Sequence, residues 1–145
     1  MFQQNDALQG GGITILSVEF GAHDVLITNS AFHENTGYTQ AGGLLVMLAS
    51  ALVTCRNTTF THNHSPDGAA IAQVFLQATM QTSTLRLAGC LILQNGGAEH
   101  SVTATITRLG GAIYQQCSEG CIMVLQNTSV NGNQAFSGAG VHSRL

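Results

Sequence analysis

The chain has no lysine, no tryptophan and a single proline, and charged residues make up only 8% of its 145 positions. Soluble domains average roughly 25%. Four arginines against seven acids leave a formal net charge of −3. Without a basic patch there is no electrostatic footprint for nucleic acid or for an anionic membrane surface, which sets both aside as partners. Long apolar runs are missing as well. The longest, Gly42 to Ala49, falls far short of the roughly 18 residues a spanning helix needs, so membrane attachment would have to come from segments outside this sequence. Met1 to Gly12 has neither the basic start nor the apolar core of a signal peptide. Helix signals are also sparse: no helix-length window carries an i, i+3, i+4, i+7 apolar stripe between caps. The polar surface is left to Ser, Thr, Asn and Gln, a composition that suits an extracellular β-solenoid better than a cytosolic enzyme.

What is present is a repeat. Phe-x-x-Asn occurs at Phe2 to Asn5, Phe32 to Asn35 and Phe60 to Asn63, with degenerate copies at Ile92 to Asn95 and Val130 to Asn133. Each is followed by a Gly-(Gly/Ala)-x-aliphatic motif: Gly10 to Ile13, Gly42 to Leu45, Gly68 to Ile71, Gly110 to Ile113 and Gly138 to Val141. The asparagines recur every 30, 28, 32 and 38 residues. Self-similarity at this period marks an array of units, each burying its apolar face against its neighbours.

Aligned on the Phe position, the units show columns. Seven residues upstream stand Val25, Val53, Leu85 and Met123; five upstream stand Ile27, Cys55, Leu87 and Leu125; the intervening positions are mixed. This period of two, with one apolar face, predicts strands. Two asparagine columns flank the Phe position, Asn29, Asn57 and Asn127 before it, and Asn5, Asn35, Asn63, Asn95 and Asn133 after it. In an array of hairpins the same motif position would not stack on itself. In a parallel coil each turn lies about 4.8 Å from the last, and identical amides form hydrogen-bonded ladders. Asn also tolerates the left-handed backbone of sharp corners, and the glycines at 42, 68, 110 and 138 suit a bend or a close backbone approach. The columns therefore predict an all-β, right-handed parallel β-helix of four to five coils, occupying residues 1–145 as one domain. Solenoid ends normally carry atypical polar units. Here Met1 directly precedes a motif phenylalanine and Leu145 falls within the strand after Gly138, which reads as an uncapped piece of a longer solenoid.

The alternation of FxxN with GGAI-type motifs resembles the repeats of chlamydial polymorphic outer membrane proteins. Gly110-Gly111-Ala112-Ile113 matches the second motif in full, and Phe32-His33-Glu34-Asn35 and Phe60-Thr61-His62-Asn63 match the first. The resemblance extends over essentially the whole chain. Similar repeats occur in large secreted or surface proteins of algae and protists. The resemblance implies a pectin-lyase-like right-handed β-helix on the cell surface or outer membrane, acting as an adhesin or stalk, carried in bacteria by a C-terminal β-barrel that this sequence does not contain.

Polysaccharide lyases and hydrolases supply the competing function on such a fold. A hydrolase needs acids facing one cleft, and a calcium-dependent lyase needs several carboxylates around the ion with a basic residue beside it. The seven acids, Asp6, Glu19, Asp24, Glu34, Asp67, Glu99 and Glu119, fall at unrelated repeat positions, and Arg56 and Arg86 fall in different columns. No catalytic residue and no cofactor are assigned on this basis. The best local cluster is Glu34 and His62 in one column, with His33 and His64 close in sequence; a metal site and an ordinary solvated face both fit it.

Cys55 occupies an inward apolar column, with Cys90 in a different one. Cys117 and Cys121 bracket a short turn, where they either close a small disulfide loop or stay free. Three sequons begin at Asn57, Asn63 and Asn127; as members of ladders these asparagines should carry no glycan. An insertion over residues 96–109, including Ser101 to Ile106, and a longer turn from Phe75 to Thr84 mark places where a binding loop would emerge. The function expected is adhesive or structural, through an exposed face presented to an unidentified protein or glycan. A fragment of a polysaccharide-active β-helix is the alternative.

Overall fold

The computed structural model describes residues 1–17, 23–48, 51–75, 82–96, 109–117 and 120–144, and these contain strands and no helix. Three parallel sheets run along a stack. One joins β1 (Phe2–Gln3), β5 (Ala31–His33), β9 (Thr59–Thr61), β12 (Leu91–Leu93) and β15 (Ser129–Asn131). The second joins β3 (Ile13–Ser17), β7 (Leu44–Leu48), β10 (Ile71–Phe75), β13 (Ile113–Cys117) and β16 (Val141–Arg144). The third joins β4 (His23–Thr28), β8 (Ala51–Arg56), β11 (Ser83–Ala88) and β14 (Cys121–Gln126). Neighbouring strands are always the same element of successive repeats, so the chain is a parallel β-solenoid of about four turns.

The register follows the repeat. Phe2, Phe32, Phe60, Ile92 and Val130 lie over one another, as do Val25, Val53, Leu85 and Met123. The phenylalanine rings are stacked, with centroids 4.8 and 4.7 Å apart and planes within 13° of parallel. Coil spacing imposes this near-parallel arrangement. Phe32, Phe60, Leu44, Ile71, Leu85, Leu87 and Ile113 are completely buried in one continuous core.

Beside the rings runs the amide ladder. The Oδ1 of Asn35 accepts from both the backbone N–H and the Nδ2 of Asn5, and the pattern repeats from Asn35 to Asn63, Asn63 to Asn95 and Asn95 to Asn133, with every Nδ2 to Oδ1 distance 2.9 Å. Each Nδ2 from Asn35 onward also donates backward to the carbonyl of the preceding coil's Phe-column residue: Phe2, Phe32, Phe60 and Ile92. Asn35, Asn63 and Asn95 have no exposed surface, so these bonds replace all contact with water. Asparagine is required because one group must accept from two donors while donating in two directions.

Three expectations about the corners change. The left-handed residues at this bend are Gln4, Glu34, His62 and Gln94, each one position before the ladder asparagine. The ladder residues themselves need ordinary backbone so that their amides point inward. The other column, Asn29, Asn57 and Asn127, is left-handed, with φ of 48–49°, but the side chains of Asn29, Asn57 and Asn127 are exposed. Its one amide contact, Asn57 Nδ2 to Asn29 Oδ1, is 3.5 Å long, so this column forms a corner with no closed ladder. Third, Gly42 does not stand over Gly10, Gly68, Gly110 and Gly138. Leu44 pairs with Ile13 and Ile71, which puts Ala41 in that column with φ of 50°. An alanine there accepts about 1–2 kcal/mol of left-handed strain, and the glycine pair moves to the two positions where a Cβ is excluded. A Cβ on Gly43 would lie 2.5 Å from the Ala70 carbonyl and 3.0 Å from the Phe60 ring.

Between the asparagine and the glycines the chain forms a flanking layer. β2 (Asp6–Gln9) pairs with β6 (Thr36–Gln40), and isolated bridges continue the row through His64, Asp67, Leu109 and Ser137. Under it lies a second apolar cluster of Ala41, Leu45, Ala72, Val74 and Tyr114. The middle of the second sheet is therefore buried on both faces, which accounts for the unbroken apolar run at Leu44, Leu45 and Val46. On the other face of the same sheet, toward the main core, stands a second set of amides: Gln73 Nε2 donates to Ser83 O and Oγ at 3.1 Å, and Gln115 Nε2 donates to Gln73 Oε1 at 3.0 Å.

Replacing Asn63 by Ala strands the buried Asn35 backbone N–H, takes the Nδ2 donor from the Phe32 carbonyl and leaves Asn95 Oδ1 only the backbone N–H of residue 63, with an expected loss of about 3 kcal/mol or more in urea denaturation. Asn57→Gly, at a column that already accepts Gly89, should stay within about 0.5 kcal/mol of the parent. Equal losses at the two positions would contradict the division into inner ladder and outer corner.

Candidate functional site

The outer faces of the coil are where chemistry would have to occur, because the repeated columns are committed to packing. At the corner after β5, His33 Nε2 lies 3.2 Å from Glu34 Oε1, and His33 Nδ1 lies 2.9 Å from Thr61 Oγ1. The His62 ring meets His33 edge-on with centroids 5.4 Å apart, and Gln4 Nε2 donates to Glu34 Oε2 at 3.0 Å. Glu34 and His62 do share a column, but His64 stands in a different one, bridged to Thr36 in the flanking layer. Among the described residues no group of three or more His, Cys, Asp or Glu is arranged to hold a metal ion. Asp6, Asp24, Glu34 and Asp67 lie on different elements or bends, and Glu19, Glu99 and Glu119 lie outside the described residues.

The cysteines divide into two pairs. Cys117, at the end of β13, is joined to Cys121, at the start of β14, in a disulfide with Cα atoms 6.0 Å apart. Cys55 and Cys90 are free and fully buried. Leu87 is the residue registered over Cys55, and Cys90 reaches it diagonally, its Sγ donating to the Cys55 carbonyl at 3.4 Å. Burial, reinforced by Cys90, pushes the Cys55 thiol up to about 12, and burial also raises Cys90. Neither thiol is a nucleophile in this setting, since the thiolate is the reactive form.

Of the sequons, Asn63 is buried in the ladder, whereas Asn57 and Asn127 are exposed at their corner, so burial protects only Asn63. The insertion is bounded by Gly96 and Leu109, both of which bridge into the flanking layer, while residues 97–108 lie outside the described residues. Residues 76–81 of the longer turn after Phe75 lie outside them too.

The feature that the pattern understates is the outer face of the third sheet. Alternation turns Val25, Val53, Leu85 and Met123 inward and leaves Leu26, Thr54, Arg86 and Val124 as the adjoining outward row. On that face Leu26 is 62% exposed, Leu52 39%, Ile122 46% and Val124 39%. Arg86 lies along it, its Nη2 donating to Gln126 Oε1 at 2.9 Å. The available signal was an aliphatic residue at a position that a period of two assigns to solvent. Four large aliphatics on one sheet, with the exposed Arg86 between them, can contact an apolar surface and hydrogen-bond beside it, while Thr54 is buried. Comparison with family models, curated proteins and solved structures finds no match to this chain.

At pH 8 a small alkylating reagent should leave Cys55 and Cys90 unmodified in the folded chain and label both in urea. Because the folded state raises the Cys55 pKa above its ordinary 9.0, the stability tied to the neutral thiol is intact below pH 9 and falls as pH climbs toward about 12. Cys55→Ala should flatten that fall in denaturation curves recorded across this range.

Proposed function

We propose that the chain is a non-catalytic segment of a secreted or cell-surface β-helix, right-handed and built from repeats of the polymorphic outer membrane protein type, with an adhesive or scaffolding role. The outer face of the third sheet carries the reading. It spans four coils and leaves Leu26, Leu52, Ile122 and Val124 exposed to solvent. Apolar rows of this kind, rimmed by polar side chains, are the usual mark of a contact surface. Low charge supports the same view, since a face with few fixed charges engages neutral glycans or proteins without strong dependence on salt.

The test is binding of the purified chain to a printed array of neutral glycans and to immobilised collagen and fibronectin. The expected result is saturable binding to at least one probe, weakened tenfold or more by the pair Leu26→Glu and Val124→Glu with the circular dichroism spectrum unchanged. Binding to none of them, or binding indifferent to the pair, would count against the adhesive role.

A further inference from the structure

The corner between β8 and β9 carries the sequon Asn57-Thr58-Thr59. Coils lie on both sides of it: Arg56 is paired with Thr28 and Ala88, and Thr59 with Ala31 and Leu91. The side chain of Asn57 is exposed all the same, so its exposure does not depend on where the chain begins or ends. The bend is held by groups other than the amide. The Asn57 N–H donates to the Ala88 carbonyl at 3.0 Å, and the Arg56 carbonyl accepts from the Asn29 N–H and from Thr58 Oγ1, both at 3.0 Å.

The amide itself is left almost uncommitted. Among the described residues its only contact is Asn57 Nδ2 to Asn29 Oδ1 at 3.5 Å, longer than an ordinary N–H···O bond. The next coil keeps the space clear. Gly89 follows Asn57 in the column, and a Cβ there would lie 2.8 Å from Asn57 Oδ1, so any larger residue would press on the amide. Thr59, which supplies the sequon hydroxyl, precedes the inward Phe60 on β9, and alternation turns it to the outer face, partly exposed. Asn63-His64-Ser65 is the opposite case. Both Nδ2 hydrogens of Asn63 are in use, to the Phe32 carbonyl at 3.1 Å and to Asn95 Oδ1 at 2.9 Å, and neither Asn63 nor Ser65 has exposed surface. Asn127 repeats the outer bend with φ of 48°, but no described strand lies beyond its coil, so its exposure carries no weight here.

We propose that Asn57 is a site of N-linked glycosylation, a reading that rests on the secreted or cell-surface role and deepens it. The donor is a lipid-linked oligosaccharide. A bond forms between Asn57 Nδ2 and the anomeric carbon of the first sugar, the bond from that carbon to the lipid pyrophosphate breaks, and the pyrophosphate leaves with the electron pair. The amide nitrogen gives up one proton and keeps the other. The disulfide between Cys117 and Cys121 suits the same oxidising compartment. A glycan at this corner also adds hydration to a surface that has few charges of its own.

The test is the mass of the chain after passage through a eukaryotic secretory pathway behind a heterologous leader, which delivers it to the transferase whatever its own targeting. Peptide mapping of the secreted, folded chain should find a glycan on Asn57 and none on Asn63. Peptide-N-glycosidase should release it without denaturant, leaving aspartate at that position. Thr59→Ala keeps the asparagine and its bend and should abolish the glycan with the circular dichroism spectrum unchanged, whereas Thr61→Ala on the same strand should leave it in place. A secreted, folded chain with Asn57 bare, or with its glycan on Asn63, overturns the proposal. Because the leader replaces the chain's own targeting, a bare Asn57 would leave the surface role standing, and that role fails separately, on the glycan and matrix probes.

Discussion

One hydrogen-bonding arrangement holds the coil in register: an asparagine amide that accepts twice from the coil before it while donating to the coil after it and to a backbone carbonyl behind it. With Asn35, Asn63 and Asn95 wholly buried, slipping the register by one residue would leave several polar groups unpaired at once. Each such group costs about 1–3 kcal/mol when stranded away from water. Apolar columns tolerate a slip far better than this ladder does, so the ladder specifies the alignment and the columns supply the bulk of the burial.

Once the alignment is fixed, apparent decay of the motifs becomes size matching between coils. The third residue of each glycine turn faces the Phe column of the next coil. A Cβ on Gly12 would lie 2.8 Å from the Phe32 ring, and one on Gly43 would lie 3.0 Å from the Phe60 ring. Where the ring column narrows to Ile92 and Val130, the corresponding residues one coil earlier are Ala70 and Ala112. A small residue sits opposite a ring and a larger one opposite an aliphatic, which keeps packing dense along the stack.

The interior so consumes nearly every residue that repeats, and whatever the chain does must use what does not repeat. Outward aliphatics on the third sheet and the insertion between Gly96 and Leu109 are the places left. The first is an apolar surface with no cluster of titrating groups on it among the described residues. The buried thiols fit the same economy, since Cys55 fills an inward column position as a small apolar residue.

The sequence by itself determined the coil. A period of two in the apolar residues and identical asparagines at matching positions can be satisfied together only by parallel turns stacked in register, so fold class and the inner ladder were legible at Asn5, Asn35, Asn63, Asn95 and Asn133. Tertiary structure decided which way each corner faced. Asn57 and Asn63 look alike in sequence, yet one bend turns its side chain to solvent and the other into the core, because the residue bearing the left-handed backbone differs by one position. It also decided the register at Ala41 and Gly42, where two adjacent glycines fit two alignments and only the pairing of Leu44 with Ile13 and Ile71 distinguishes them. The flanking layer over the second sheet was not legible either: strands this short carry no periodicity of their own and form only when a neighbouring coil offers its edge.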